Sequence, residues 1–284
     1  MKTKRRGAAA LEKFHFDIVH GCQLRCIGCP NSTLKPKIKF IAPDLFHLCL
    51  SHIDVDSIGL MRLFNFGEPL LHPELPAILE QIRDQPWDVG TVEISTNGQY
   101  HDFPVLAEAF RTGVLTRLNV SCDGDGTPAE YERLRPPSKW DKFIEFLEVV
   151  PDLRDKHCAD LVLMTRTICT DPVAQRRWKA ILEPRGWNPE FRGWLNLPEA
   201  AVNMKGEGPK VPAGVCAYLE RGNNLYVDWD GTVVPCCVHP RAGVLGDLKE
   251  QTYSEILAGG PRAAMVGAML TDRRAMNICG QCEF

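Results

Sequence analysis

Six apolar, strand-like runs, each followed by a helical pattern, constrain the fold of this chain more than any other feature. The runs cover residues 14–18, 60–66, 91–95, 117–121, 161–165 and 190–195. Between them, apolar residues recur at helical spacing, as Leu75, Ile78, Leu79 and Ile82 do. Strands that alternate with helices pair in parallel through right-handed crossovers, so the sequence predicts a parallel α/β sheet.

The number of units favours a curved sheet over a closed barrel. Six strand–helix units are fewer than the eight that close a barrel, which predicts a partial (β/α)6 barrel that is open on one side. A flat, doubly wound sheet remains the alternative. Ser138 with Asp141 and Asp171 with Pro172 predict the starts of two helices. In either fold, reactive groups belong at the carboxyl ends of the strands.

The chain changes character after about residue 197, where Gly and Pro become dense. This change predicts a linker into a second domain, so we divide the chain into a basic tail (1–13), a main domain (14–197) and a small C-terminal domain (198–284). The last is expected to contain a hairpin that turns at Asp230–Gly231 and a short helix capped by Thr252 and Glu255.

Composition narrows the class of protein. The chain has 284 residues, a net charge of -3 and 12 cysteines. It has no apolar stretch of membrane-spanning length and no apolar signal core, so we expect a cytoplasmic protein that binds neither nucleic acid nor membrane. In a reducing compartment, many cysteines favour metal binding over disulfides.

Three of the cysteines, Cys22, Cys26 and Cys29, follow the first strand at the spacing C-x3-C-x2-C. Three thiolates on one short loop can hold three irons of a four-iron cluster and leave the fourth iron open for chemistry. The alternative is a structural zinc site, for which His20 is the local candidate for a fourth ligand.

A second group of cysteines lies near the C-terminus: Cys216, Cys236, Cys279 and Cys282. Four thiolates from a hairpin and a distal C-x2-C pair would saturate one [4Fe-4S] cluster. A zinc ribbon with four cysteine ligands remains open as the alternative. Cys237, beside Cys236, is then a spare thiol.

The N-terminal spacing resembles the signature of the radical S-adenosylmethionine (SAM) enzymes, and the C-terminal cysteines resemble their twitch domain, a shortened SPASM domain. The resemblance implies two [4Fe-4S] clusters, SAM chelated to the open iron, and a flavodoxin- or ferredoxin-type electron donor. It also implies reductive cleavage of SAM to a 5′-deoxyadenosyl radical inside a partial barrel.

The same resemblance implies which residues bind SAM. Gly67 and Glu68 match the family's Gly-Gly-Glu motif, with Phe66 in place of the first glycine. The further SAM-binding positions are Ser95, Asn97, Ser121 and Arg166, the last of these for the SAM carboxylate. Many relatives have an aromatic residue before the third cysteine that packs near adenine, and here Gly28 takes that position.

Within the family, the chain resembles most the aminocyclitol dehydrogenases of butirosin biosynthesis. This implies oxidation of a sugar or aminocyclitol alcohol, with the second cluster as the electron acceptor. Three alternatives remain: a peptide maturase of natural-product biosynthesis, a radical epimerase in which Cys122 or Cys237 returns a hydrogen atom, and a non-enzymatic zinc or electron-transfer protein. The substrate is accordingly a small molecule or a peptide.

Overall fold

A computed structural model describes residues 10–99 and 102–284. The basic run at 2–6, and with it most of the predicted tail, lies outside the described residues. The strands are β1 (Leu11–Phe16), β2 (Val19–His20), β3 (Lys39–Phe40), β4 (Ser57–Arg62), β5 (Asp88–Thr96), β6 (Arg117–Asp123), β7 (Val162–Ile168), β8 (Asn188–Arg192), β9 (Asn224–Val227), β10 (Thr232–Val234) and β11 (Gly246–Asp247).

The α-helices occupy the connections between these strands and the C-terminal region. They are α1 (Asn31–Leu34), α2 (Pro43–Ser51), α3 (Leu75–Arg83), α4 (Phe103–Arg111), α5 (Pro128–Leu134), α6 (Trp140–His157), α7 (Pro172–Leu182), α8 (Ala217–Glu220), α9 (Tyr253–Ala258) and α10 (Gly260–Asp272). Among the described residues, no helix has the length and apolarity that crossing a membrane requires.

The order of the strands decides between the two predicted sheets. Six of them pair in parallel in the order β1-β4-β5-β6-β7-β8, so each new strand is added on the same side of the previous one. A doubly wound sheet reverses direction at a switch point, and this sheet does not. The predicted partial (β/α)6 barrel is confirmed, and the doubly wound alternative is wrong.

The two faces of the sheet differ in chemistry. Ile94, Leu118 and Leu163 are adjacent in register and almost fully buried against the helices, as the period of two in strands requires. The opposite face carries polar and charged side chains in register, among them His15, Arg62, Glu93, Arg117 and Arg166. The interior of the barrel is therefore polar from the middle of the strands to their carboxyl ends, where the site lies.

Glu93 organises this interior. Its side chain is fully buried and receives Arg62 Nε at 2.8 Å, Arg117 Nη1 at 3.2 Å and Arg166 Nη2 at 2.5 Å. Burial alone would raise the pKa of Glu93, but the charges of Arg166 and Arg62 outweigh it and lower the pKa. Three guanidinium groups against one carboxylate leave an excess of two positive charges beneath the strand ends.

The C-terminal region continues the barrel sheet. The predicted hairpin is confirmed as β9 and β10, which turn at Gly231 with a φ of 87°, and β9 pairs in parallel with β1. One sheet therefore joins the two regions, and the predicted boundary at 197/198 stays a prediction. The capping box of Thr252 and Glu255 is confirmed.

The start of α6 differs from the prediction. The helix begins at Trp140, its N-cap is Lys139 without a side-chain cap, and the Ser138 hydroxyl has no partner. The predicted capping box of Ser138 and Asp141 is therefore wrong. Pro136 and Pro137 form a turn immediately before Ser138, and the helix begins one residue later than a cap at Ser138 would require. The cap predicted at Asp171 is confirmed, since its carboxylate accepts Ala174 N–H at 2.8 Å.

Candidate active site and cluster sites

The predicted cysteine loop lies at the rim of a large cavity at the strand ends. Cys22, Cys26 and Cys29 all line this cavity, whose empty volume is about 1600 Å³ including space open to solvent. The wall also contains most of the predicted SAM-binding residues, namely Gly67, Glu68, Ser95, Asn97, Ser121 and Arg166. Residues from five strand ends and one loop thus meet around one space, as parallel strands predict.

The loop that carries these cysteines is fixed to the turn after β4. Glu68 N–H donates to Gly21 C=O at 3.0 Å, and Asn31 Nδ2 donates to Phe66 C=O at 2.8 Å. A Cβ on Gly67 would lie 1.6 Å from Val19 O, so only glycine permits this approach. Phe66 contributes its backbone and does not line the cavity, which shows why its side chain can replace a glycine.

Asp17, the residue that follows β1, anchors the same turn. Its carboxylate is almost fully buried and accepts Phe66 N–H at 3.0 Å and Gly67 N–H at 3.1 Å. Burial raises the pKa of Asp17 to about 6, although these backbone donors act in the opposite direction. The backbone of the Gly-Glu turn therefore holds one conformation next to the cysteines.

The cysteines are held by donors as well as by the fold. Leu24 N–H and Asn97 Nδ2 both donate to Cys22 Sγ, at 3.3 and 3.4 Å. Burial, followed by the charge of Glu68, raises the pKa of Cys22 to about 12. A bound metal must therefore displace a proton from this thiol, and donors that face the sulfur favour the thiolate once the proton has left.

Arg135 and Asp123 form an ion pair at 2.5 Å beside the same loop, and both are buried in the cavity wall. Burial raises the pKa of Cys26, and the charge of Arg135 opposes that change. Arg135 also ends α5, whose last residues hold the loop: Ile27 N–H donates to Leu134 C=O at 3.0 Å. Sequence reasoning did not find Arg135, because no motif marks it.

Ser95, Ser121 and Arg166 present polar atoms to the cavity from β5, β6 and β7. The Ser95 and Ser121 hydroxyls lie 3.3 Å apart. Arg166 lies within β7 instead of after it, and stacks over the ring of Phe64 at 5.5 Å. Its Nε has no hydrogen-bond partner, since Glu190 at 4.0 Å is too distant. Arg166 thus retains one free donor beside its ion pair with Glu93.

The two predicted hydrogen donors have different positions. Cys122 is fully buried among the core side chains behind the sheet, with its Sγ 3.1 Å from Thr167 Oγ1. A hydrogen donor would have to face the site, and Cys122 does not, because Ser121 faces the cavity and neighbours in a strand point to opposite sides. Cys237 is partly exposed beside Tyr218, outside the cavity wall.

Trp194 is the aromatic residue that sequence reasoning missed. It follows β8 and lines the cavity, and its ring atom Cζ3 lies 3.2 Å from where a Cβ on Gly28 would be. The missing side chain at Gly28 thus leaves the space that the Trp194 ring occupies. The signal in the sequence was the glycine itself, but the partner is 166 positions away and has no local motif.

The four C-terminal cysteines line a second cavity. Cys216, Cys236, Cys279 and Cys282 meet around an empty volume of about 350 Å³ with Met265, Met269 and other apolar side chains. Cys237 is not in this wall, in agreement with its prediction as the spare thiol. Gly280 allows the close approach of Cys279, because a Cβ there would lie 2.4 Å from Arg274 O.

Both cavities have the donor set of an iron–sulfur cluster. Among the described ranges, no three His, Cys, Asp or Glu side chains converge at the spacing of a single ion. A four-iron cluster binds each thiolate through a different iron, so its ligands stand around a volume and not around a point. The residues present therefore fit a cluster in each cavity, one with three thiolates and one with four.

These features define a class of protein, a partial barrel with an open cysteine loop at its strand ends and a C-terminal four-cysteine cavity. Residues 216–283 match the SPASM family, an iron–sulfur cluster-binding domain. The fold resembles that of BtrN in complex with AdoMet and 2-DOIA, with a TM-score of 0.60 at 14% identity over 98% of this chain and 95% of BtrN.

A second solved structure has the same fold. It is anSMEcpe with bound AdoMet and Cp18Cys peptide, with a TM-score of 0.64 at 14% identity over 96% of this chain and 88% of that one. No curated protein matches the sequence. The chain thus has the fold of these two AdoMet-bound proteins, a partial (β/α)6 barrel, and its C-terminal region matches the SPASM iron–sulfur domain.

Proposed function

We propose that this protein is a radical SAM dehydrogenase that oxidises an alcohol of a sugar or aminocyclitol. The single observation that carries the proposal is the cavity wall that Cys22, Cys26 and Cys29 share with polar groups from the ends of β5, β6 and β7. A cluster held there by the three cysteines would supply the electron that breaks a C–S bond of SAM, and the 5′-deoxyadenosyl radical so formed would take a hydrogen atom from the substrate.

In this proposal the residues of the chain act by holding SAM in position. Arg166 lines the cavity and would bind the SAM carboxylate, Asn97 and the backbone of Gly67 and Glu68 flank the cysteine loop, and Ser95 and Ser121 supply hydroxyls to the cavity. Trp194 offers a ring face to adenine in place of the family's aromatic before Cys29. Held in this way, the reacting atoms need no diffusional encounter.

The oxidation requires a second electron step. Loss of a hydrogen atom from a carbon bearing a hydroxyl, then of the hydroxyl proton and one electron, gives a ketone. The four-cysteine cavity supports the proposal that a second [4Fe-4S] cluster takes that electron, whereas a flavodoxin- or ferredoxin-type protein would donate the electron that cleaves SAM. BtrN, with 2-DOIA bound, has the same fold, and this likeness supports the same substrate class.

Peptide modification is the second candidate. The cavity is open to solvent, and anSMEcpe binds the Cp18Cys peptide within the same fold.

Epimerisation is a further candidate, and it would need a thiol that reaches the substrate. Cys122 cannot serve, because it is buried behind the sheet, so the epimerase candidate depends on Cys237. Loss of inversion in Cys237→Ala, with retained SAM cleavage, would favour the epimerase.

Two multiple-cysteine variants test the two parts of the proposal, which are SAM cleavage by the N-terminal cluster and electron acceptance by the C-terminal cluster. Cys22, Cys26 and Cys29 changed together to Ala should abolish 5′-deoxyadenosine formation with a strong reductant. Cys279 and Cys282 changed together to Ala should keep SAM cleavage but sharply reduce the two-electron product. Circular dichroism and iron content control for folding, because a cluster also stabilises its domain.

The outcomes separate the alternatives. SAM cleavage at the wild-type rate in the triple variant would refute the radical SAM assignment. Oxidised product at the wild-type rate in a folded double variant that lacks the second cluster would refute the electron-acceptor role. Zinc without acid-labile sulfide in anaerobically purified wild-type protein would favour the non-enzymatic zinc protein.

A further inference from the structure

The segment that leaves the N-terminal cysteine loop is basic and exposed. Residues 35–40, which we call the basic segment, contain Lys35, Lys37 and Lys39 and no acid. All three lysines are exposed, and within the described ranges none of them forms an ion pair. The chain as a whole has a net charge of -3, so this concentration of positive charge is local.

Two apolar side chains are exposed in the same segment. Ile38 is 41% exposed and Phe40 is 39% exposed. The Phe40 ring packs edgewise against His72 with the ring centroids 5.6 Å apart, and Lys39 Nζ lies 4.9 Å from the centroid of the Trp229 ring. These contacts hold the side chains in place, so a partner that covers them has less side-chain freedom to restrict.

The basic segment packs against the start of the cysteine loop. Its strand β3 pairs with β2, which leads into the loop. A Cβ on Gly21 would lie 3.1 Å from Pro36 O and 3.2 Å from Lys37 O, and Gly21 directly precedes Cys22. None of residues 35–40, all of which the structure describes, lines the strand-end cavity. A partner on this segment would therefore leave the cavity free for SAM and substrate.

Two acids flank the basic segment. Burial and the charge of Lys39 lower the pKa of His20, and the charge of Asp230 opposes them, so both charges lie on the surface around His20. Asp44 lies in the first turn of α2, which follows the segment. Arg25 of the cysteine loop adds a fourth cation, and its Nη1 donates to a backbone carbonyl of the loop at 2.7 Å. Four cations against these two acids give the surface an excess of positive charge.

The proposed cleavage of SAM needs an electron that a reductant supplies from outside the protein, at least for the first turnover. In that proposal SAM and substrate take up the cavity side of the cysteine loop. A protein that donates the electron must then approach the loop from its outer side, where the basic segment lies. Redox partners bind through small, transient interfaces, and opposite charges steer their encounter.

We propose that the basic segment is the docking surface for an acidic electron donor of the flavodoxin or ferredoxin type. This inference rests on the proposed function. Lys35, Lys37 and Lys39 attract the acidic surface of the donor, and the exposed side chains of Ile38 and Phe40 pack against its apolar surface. One electron then passes from the reduced donor to the N-terminal cluster, so the donor is oxidised by one electron and the cluster is reduced by one.

The test measures 5′-deoxyadenosine formation by the full chain with both clusters reconstituted, driven either by reduced flavodoxin or by dithionite. Changing Lys35, Lys37 and Lys39 together to Gln should raise the KM for reduced flavodoxin at least about tenfold at low salt and keep the rate at saturation. The rate with dithionite, which needs no docking surface, should equal that of wild type. Added salt should raise the wild-type KM towards that of the variant.

Changing Lys156, Arg176 and Lys179 together to Gln is the matched control, because it changes the net charge by the same amount. These exposed cations lie on α6 and α7, which connect β6, β7 and β8 at the far end of the parallel strands from β1. An equal rise in KM in both triple variants would overturn the proposal. Loss of the dithionite-driven rate in the first triple variant would also overturn it, by making these lysines supports of the cysteine loop.

The dithionite measurement distinguishes this inference from the proposed function. If wild type forms no 5′-deoxyadenosine with dithionite, the radical SAM assignment fails and the docking proposal fails with it. If dithionite drives cleavage but the first triple variant keeps the wild-type KM for flavodoxin, only the docking proposal fails. If reduced flavodoxin does not drive cleavage in wild type, a reduced ferredoxin takes its place, and failure of both donors would overturn the docking proposal.

Discussion

The carboxylate of Glu68 accepts the backbone N–H of Asn97 at 2.7 Å, which ties the turn after β4 to the turn after β5. The other oxygen of Glu68 accepts Leu70 N–H at 3.1 Å. Asn97 in turn donates from its side chain to Cys22 Sγ. A single buried acid thus connects the Gly-Glu turn, the Ser-Thr-Asn-Gly turn and the first cysteine of the loop.

Glu68→Ala should destabilise the protein and weaken SAM binding together. The substitution leaves two buried N–H groups without acceptors, which costs about 1–3 kcal/mol for each. Glu74→Ala, at an exposed acid in the following turn, is the control and should change stability by less than about 0.5 kcal/mol. Chemical denaturation and SAM titration measure the two effects. Wild-type stability in Glu68→Ala would contradict the role of this hydrogen bond.

Arg166→Ala should weaken SAM binding and retain both clusters. Loss of a charge-assisted contact costs about 1.5–3 kcal/mol, or roughly ten- to a hundredfold in affinity. Arg117→Ala is the matched control, since Arg117 also pairs with Glu93 but does not line the cavity. Isothermal titration with SAM measures the difference. Equal losses in both variants would mean that Arg166 acts only through the Glu93 network.

The strands and the grouping of the cysteines could be predicted because their signals are local. Alternating apolar runs mark each strand, and each group of closely spaced cysteines lines one cavity. The side of the sheet that a strand residue faces is harder to predict. Ser121 and Cys122 are neighbours, and a shift of one residue moves a side chain from the cavity to the core. Predicting that Cys122 faced the site failed for this reason.

The contacts that complete the site have no local signal. Arg166 was predicted at a strand end, but its partner Glu93 lies two strands away in the sequence and appears only in the assembled sheet. Arg135 is an ordinary arginine in the sequence, and its burial beside Asp123 and Cys26 gives it its electrostatic effect. Such roles depend on tertiary packing, which no pattern of neighbours encodes.

His15 should make stability depend on pH. Burial, and next the charge of Arg62, lower the pKa of His15 to about 3, so the folded protein holds it neutral at pH 5.5. The unfolded chain takes up a proton below about 6.5. Stability that is present above pH 6.5 is therefore lost as the pH falls, by about 1.4 kcal/mol from this residue between pH 7.5 and 5.5.

Urea unfolding at the two pH values, with reversibility checked by dilution, measures this dependence. His15→Gln removes the titrating group from the same position, so its change in stability between pH 7.5 and 5.5 should be smaller by about 1.4 kcal/mol. An identical change in His15→Gln and wild type would mean that His15 has the same pKa in the folded protein as in the unfolded chain.

Trp194→Ala should reduce SAM affinity because it removes the ring that occupies the space beside Gly28. Stacking of a base on an aromatic side chain contributes about 1–3 kcal/mol, which is roughly five- to more than a hundredfold in affinity. Trp229→Ala is the control, since Trp229 packs against His20 and Lys39 outside the cavity wall. Calorimetry with SAM measures both variants.

A paired substitution makes the test specific to the ring and its place. Gly28→Phe alone should impair folding or SAM binding, because its Cβ would lie 3.2 Å from the Trp194 ring and 3.3 Å from Met204 Cγ. Gly28→Phe with Trp194→Gly moves the aromatic to the cysteine loop and should recover part of the affinity that Trp194→Ala loses. Unchanged SAM affinity in Trp194→Ala would show that adenine is held elsewhere, and no recovery in the paired variant would show that the two positions are not equivalent.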